Sequence, residues 1–132
     1  MIQKRRKKMI FNIGYQGRNI EGFVATLAGA GVTMLVDLRE KPVSRIKGFS
    51  KNKLREALAA GGIGYWHMGQ KLGGFTCTPD MWKDGCNEIF TWLEKNYEVL
   101  ALMCMERDPL QCHRLEVSKI LETEHGFTRQ CL

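Results

Sequence analysis

Apolar positions along the chain switch between two periods. Uninterrupted apolar runs of strand length alternate with segments whose apolar residues recur at three- and four-residue steps, and that alternation predicts repeated strand-then-helix units. Residues 10–15 read as the first strand. Asn19 then caps a helix whose Ile20, Phe23, Val24, Leu27 and Ala28 share one face, and Gly29 and Gly31 end it. Residues 32–38 form a continuous apolar strand closing on Asp37 and Leu38. A strand without polar alternation is covered on both faces, which favours a parallel sheet.

A long polar connection covers residues 39–49, after which Ser50 is placed to cap a second helix through Leu54, Ala57 and Leu58 that stops at Gly61 and Gly62. Residues 63–67 are a short aromatic strand, and Leu72-Gly73-Gly74-Phe75 belongs to the connection after it. Thr78-Pro79-Asp80 supplies a side-chain cap, a preset φ and an anion at the positive helix end. The helix it opens buries Trp82, Cys86, Ile89, Phe90, Leu93 and Tyr97. Residues 99–104 are a fourth strand, and residues 108–111 are a capping sequence for a last helix with Val117, Ile120, Leu121 and Glu124 along one line. Gly126 ends that helix, and residues 127–132 form a final strand. The expected fold class is a single-domain α/β three-layer sandwich: a mostly parallel sheet of four to five strands with helices on both faces.

Joints from helix to strand are two or three residues of glycine or polar punctuation, whereas joints from strand to helix are long and rich in reactive groups. Right-handed crossovers place every strand-to-helix joint at one edge of a parallel sheet, where ligands bind in open α/β folds. Arg18, Asp37, Arg39, Ser44, Arg45, His67, Gly73, Gly74, Cys104, Glu106, Cys112, His113 and Arg114 are therefore expected around one cleft.

Charge adds a second layer to this picture. The chain of 132 residues carries 20 Lys and Arg against 14 Asp and Glu, a net charge of +6, and Lys4-Arg5-Arg6-Lys7-Lys8 supplies five of those positive charges. This arm, residues 1–8, has too little apolar surface to offset ordering entropy and is expected to be disordered, with residues 9–132 as the folded domain and Met9 as an alternative start. Within the body, residues 37–55 hold Arg39, Lys41, Arg45, Lys47, Lys51, Lys53 and Arg55 against only Asp37 and Glu40. The basic side of the domain thus surrounds one connection. Five cysteines, an odd count without a signal segment, point to free thiols in a reducing, cytoplasmic setting. No apolar run approaches the ~20 residues of a membrane helix.

The densest chemistry lies in residues 104–114, Cys-Met-Glu-Arg-Asp-Pro-Leu-Gln-Cys-His-Arg, at the turn between the fourth strand and the last helix. Glu106 and His113 are the candidate acid–base pair, and Cys112 near a helix start is a candidate low-pKa thiolate weighed against a structural thiol. Arg18, Arg39, Arg45 and Arg114 are candidates to hold an anion, with Asp37, Ser44, Gly73 and Gly74 completing the ligand-binding set. The Cys104 to Cys112-His113 spacing fits no recognised zinc pattern, so neither a metal nor a cofactor is expected.

These motifs resemble a known family. Ile13-Gly14-Tyr15-Gln16-Gly17-Arg18, then Asp37-Leu38-Arg39-Glu40-Lys41-Pro42-Val43-Ser44-Arg45 with Phe49-Ser50, then Leu72-Gly73-Gly74, and finally Cys104-Met105-Glu106 with Cys112-His113-Arg114 resemble the domain of unknown function family DUF488. Asn12 stands where that pattern has threonine. The resemblance implies a compact α/β domain and supplies no activity. From the residues themselves, the expected function is an enzyme, a hydrolase or transferase, on a phosphorylated ligand that is nucleotide-like or nucleic acid. The alternative is a non-catalytic nucleic-acid-binding module using the basic arm and the 37–55 connection.

Overall fold

The computed structural model describes residues 9–96, 98–105 and 113–132. The basic arm, Tyr97, Glu106, Cys112 and the cap placed at residues 108–111 lie outside them. Five strands, β1 (Met9–Gly14), β2 (Met34–Asp37), β3 (Gly64–His67), β4 (Leu100–Cys104) and β5 (Thr128–Cys131), pair in parallel in the order β3-β2-β4-β1-β5. Between them run α1 (Ile20–Gly29), α2 (Lys51–Ala60), α3 (Gly69–Leu72), α4 (Pro79–Lys95) and α5 (Arg114–His125).

Strand β4 sits inside the sheet, buried along its whole length, and its side chains alternate between two cores. Leu100 and Leu102 face Cys86 and Ile89 of α4 with Val117 and Leu121 of α5. Ala101 and Met103 face Phe23 and Leu27 of α1 with Leu54 and Leu58 of α2. That division is the expected three-layer sandwich, produced by period-two alternation in the strands and one apolar stripe on each long helix. No helix of the described residues is long and apolar enough to cross a membrane.

Local chemistry sets the helix starts. Asn19 Oδ1 accepts from Gly22 N at 2.7 Å, and Thr78 Oγ1 accepts from Met81 N at 3.3 Å with Pro79 following, as the sequence implies. Ser50 departs from expectation. It occupies the cap position, but its hydroxyl accepts from Ser44 N at 3.0 Å and donates to Ser44 O at 3.3 Å, which closes the 44–50 loop and leaves no side-chain cap on α2. The short helix α3 has no counterpart among the expected elements, since four residues are too few to show a period. It places Leu72 in the core, where the sequence pattern implies a connection.

One row across the sheet sets the level of its carboxyl edge. His67 pairs with Asp37, Asp37 with Met103 and Met103 with Ile13, so the carboxyl ends of four strands finish almost level.

Candidate functional site

A cavity of about 710 Å³ opens at that level edge. Tyr15 after β1, Leu38 to Lys41 and Val43 after β2, Gly74 to Thr76 after α3, Cys104 at the end of β4 with Met105 after it, and His113 before α5 line it. Strands β1 and β4 are neighbours, yet the helices that follow them pack on opposite faces. Their connections must diverge, and the gap left between them is the topological switch point where open α/β sheets hold ligands.

Below the cavity lies a buried polar network centred on Asp37. Its Oδ1 accepts from Arg39 N at 3.0 Å and Arg39 Nε at 2.9 Å, and its Oδ2 accepts from Arg39 Nη2 at 2.8 Å and from the Tyr65 hydroxyl at 2.6 Å. The remaining guanidinium nitrogen of Arg39, Nη1, donates to Phe49 O at 2.6 Å and to the Tyr15 hydroxyl at 3.3 Å. Tyr15 in turn stacks on Phe49 with ring centroids 4.5 Å apart. Burial opposes the Arg39 charge, but the Asp37 bonds outweigh it and raise the guanidinium pKa above its ordinary value. Burial, with Asp37 beside it, likewise raises the Tyr65 phenol.

Arg39 therefore lines the cavity with each of its guanidinium nitrogens already bonded within the protein. Arg18 is committed too: Nε donates to Gly14 O at 2.9 Å and Nη2 to Leu132 O at 3.0 Å, tying the end of β1 to the last residue. The sequence pattern assigns both arginines to an anion, and in the fold they serve buried or strand-end oxygens. An arginine in a loop gives no sequence signal that separates these roles.

Gly73 and Gly74 make room for side chains. A Cβ on Gly73 would fall inside the Glu40 side chain, and one on Gly74 would lie 2.6 Å from His113 Nδ1. Glu40 uses the room to anchor the following loop: Oε2 accepts from Phe75 N and Thr76 N, each at 2.7 Å, and Oε1 from the Thr76 hydroxyl at 2.8 Å. Those bonds, the Thr76 backbone amide first, hold the Glu40 carboxyl below its usual range.

His113 is oriented by Leu72 and Trp82. Its Nε2 donates to Leu72 O at 2.6 Å, and its ring stacks on Trp82 at 5.7 Å, while Trp82 Nε1 donates to Gly73 O at 2.8 Å. A carbonyl only accepts, so the proton of neutral His113 sits on Nε2 and Nδ1, beside Gly74, carries the basic lone pair. By the same reasoning His67 donates through Nε2 to Arg39 O at 2.6 Å.

Cys104 Sγ borders the cavity and accepts from Arg114 Nη1 at 3.1 Å, with Arg114 only 1% exposed. Cys77, Cys86 and Cys131 are free thiols, but Cys104 is disulfide-bonded, which corrects the expectation of free thiols throughout. Burial, followed by the charge of Glu124, pushes the Cys86 thiol up to about 12. Among the described residues no three His, Cys, Asp or Glu side chains group as metal ligands.

Of the expected site residues, Arg39, Gly74 and His113 line the cavity, Asp37 lies beneath it bonded to Arg39, and Arg114 contacts its wall through Cys104. Gly73 is one residue away, against Glu40. Ser44 accepts from Ile46 N at 3.0 Å and organises the loop, and Arg45 is exposed on that loop without being one of the lining residues. The residues that sequence reasoning passed over are Tyr15, Glu40, Lys41, Phe75, Thr76 and Trp82. Their parts depend on partners far along the chain; only Lys41, inside the basic connection, carried a signal.

The sequence profile described as "Domain of unknown function DUF488" matches residues 19–99. No curated protein matches the sequence. Among solved structures, the chain is similar to one from Shewanella putrefaciens CN-32 named "Putative phosphatase (DUF442)", at 10% identity and a TM-score of 0.48, covering 93% of this chain and 79% of that one.

Proposed function

The chain belongs to the DUF488 family, whose description names no activity, and from the cleft itself we propose a small enzyme acting on a phosphorylated, nucleotide-like or nucleic-acid ligand. The observation that carries this reading is the meeting of Lys41, His113 and the Cys104–Arg114 contact on one cavity of about 710 Å³ at the switch point. That volume is within the range of small-molecule sites.

Lys41 is exposed at the cavity and forms no ion pair among the described residues, so its ammonium is available to a phosphate in a way that Arg39 is not. Arg45 on the same connection adds a second exposed cation. His113, held by Leu72 O and Trp82, is the candidate proton-transfer group, the role a hydrolase or transferase needs to activate a hydroxyl or water. Glu106 stays in the proposal as a further catalytic candidate.

Thermal stabilisation of the full chain by inorganic phosphate, ribose 5-phosphate and nucleoside monophosphates tests this. Several degrees of shift at ligand well above Kd are expected, with Lys41→Ala removing most of it and His113→Ala abolishing turnover while binding persists. Unchanged melting across all these compounds would reject the reading.

The binding-module alternative draws on Lys47, Lys53 and Arg55, which are exposed and make no ion pair among the described residues. It predicts affinity for oligonucleotides that falls steeply with salt and is indifferent to His113→Ala.

A further inference from the structure

Single exposed apolar side chains are ordinary on a protein surface, but exposed ones gathered at a cavity mark a ligand-binding groove. Among the described residues Val43, Phe75, Met81 and Met105 are exposed, and three of those four, Val43, Phe75 and Met105, line the same cavity. Phe75 is the extreme case at 93% exposed, and it is the one exposed aromatic among them.

Its exposure is built in. The loop that carries it is fixed by the Glu40 carboxylate through Phe75 N, Thr76 N and the Thr76 hydroxyl, and Gly73 exists as glycine because the Glu40 side chain fills the space of a Cβ. A phenyl ring on an anchored backbone loses little entropy when a flat partner settles on it, since its surroundings are already ordered. Val43 and Met105, on the connections after β2 and β4, add apolar surface to the same cavity. Lys41 and His113 lie on the same cavity.

We propose that Phe75 is a stacking platform for the planar base of a nucleoside monophosphate whose phosphate lies toward Lys41. This rests on the phosphorylated-ligand reading above and deepens it by naming the other end of the ligand. Apolar surface next to a cation matches a molecule that is flat and apolar at one end and anionic at the other. Proteins that track a nucleic-acid strand offer successive aromatic platforms along a groove. A single exposed ring over one cavity matches a single base.

Isothermal titration of the full chain with adenosine monophosphate, uridine monophosphate, ribose 5-phosphate and a short oligothymidylate decides the matter. Adenosine monophosphate should bind on the order of tenfold tighter than ribose 5-phosphate, with uridine monophosphate between them, as stacking area dictates. Phe75→Ala should erase that advantage while leaving ribose 5-phosphate affinity unchanged, and Phe75→Trp should retain it. Because Phe75 is exposed, these variants are expected to fold, and an unchanged circular dichroism spectrum verifies it. Equal affinity for nucleotide and ribose phosphate, or an advantage surviving in Phe75→Ala, overturns the platform and leaves the phosphate reading standing. Binding of the oligonucleotide alone overturns the mononucleotide assignment. Absence of binding by every phosphate compound removes both proposals.

Discussion

Asp37 Oδ2 and Arg39 Nη2 are 2.8 Å apart with their side chains 0% and 8% exposed, so the charge beside the candidate site is neutralised from within. A carboxylate so deeply buried requires its partner. Arg39→Ala should cost about 3–5 kcal/mol of stability, because it strands the Asp37 charge and frees Phe49 O. Arg39→Lys should recover little of it, since an ammonium cannot reproduce the planar fork that reaches Asp37, Phe49 and Tyr15 together. Urea denaturation measures both; a loss under about 1 kcal/mol for Arg39→Ala would mean the pair is not structural. For the same reason Lys41, not Arg39, is the position at which to probe ligand charge.

Glu40 predicts a pH dependence. Its folded-state pKa lies below the ordinary 4.5, so the carboxylate contributes stability that is fully present at neutral pH and is lost as pH falls below that value and through the folded pKa. Urea midpoints of wild type and Glu40→Gln should therefore converge on acidification from about pH 6 to the acid limit of folding. Parallel curves would contradict the assignment.

Cys86 predicts selective thiol chemistry. With its pKa pushed from 9.0 up to about 12 by burial, it remains a neutral thiol at about pH 8 while exposed Cys131 and half-buried Cys77 react. Peptide mapping after brief iodoacetamide treatment should find Cys77 and Cys131 carrying label and Cys86 spared. The linkage has a sign as well: between about pH 9 and 12 the unfolded thiol ionises and the folded one does not, so Cys86 lowers stability as pH rises through that window.

Gly74→Ala should act on His113. A methyl group there meets Nδ1 at 2.6 Å, and the ring, pinned by Leu72 O and Trp82, has to shift. Overpacking of this kind costs about 1–3 kcal/mol. Any activity that depends on His113 should fall further than melting temperature suggests, and full activity in Gly74→Ala would show that the position of the ring is not critical.

Much of the architecture was written in local pattern. The continuous apolar runs ending at Asp37 and Cys104, the one-sided helices through Phe23 and Ile89, and the caps at Asn19 and Thr78 each follow from interactions within a few residues, and those interactions survive any arrangement of the rest. Ser50 shows the boundary of that logic. Its local setting is that of a cap, but Ser44, six residues earlier, competes for the hydroxyl and wins once the loop folds back.

What the chain determines alone is which segments become the strands and the long helices, that the sheet is parallel, and hence that the long connections gather at one edge, because period, capping and crossover handedness are short-range properties. Which way each charged side chain turns when it arrives there was decided only by the tertiary structure. Arg18 faces Leu132 across 114 residues, Glu40 faces Thr76 across 36, and Leu72 meets His113 across 41. A guanidinium or carboxylate takes whichever partner the packed fold brings within hydrogen-bonding distance, and that distance has no representation in linear order.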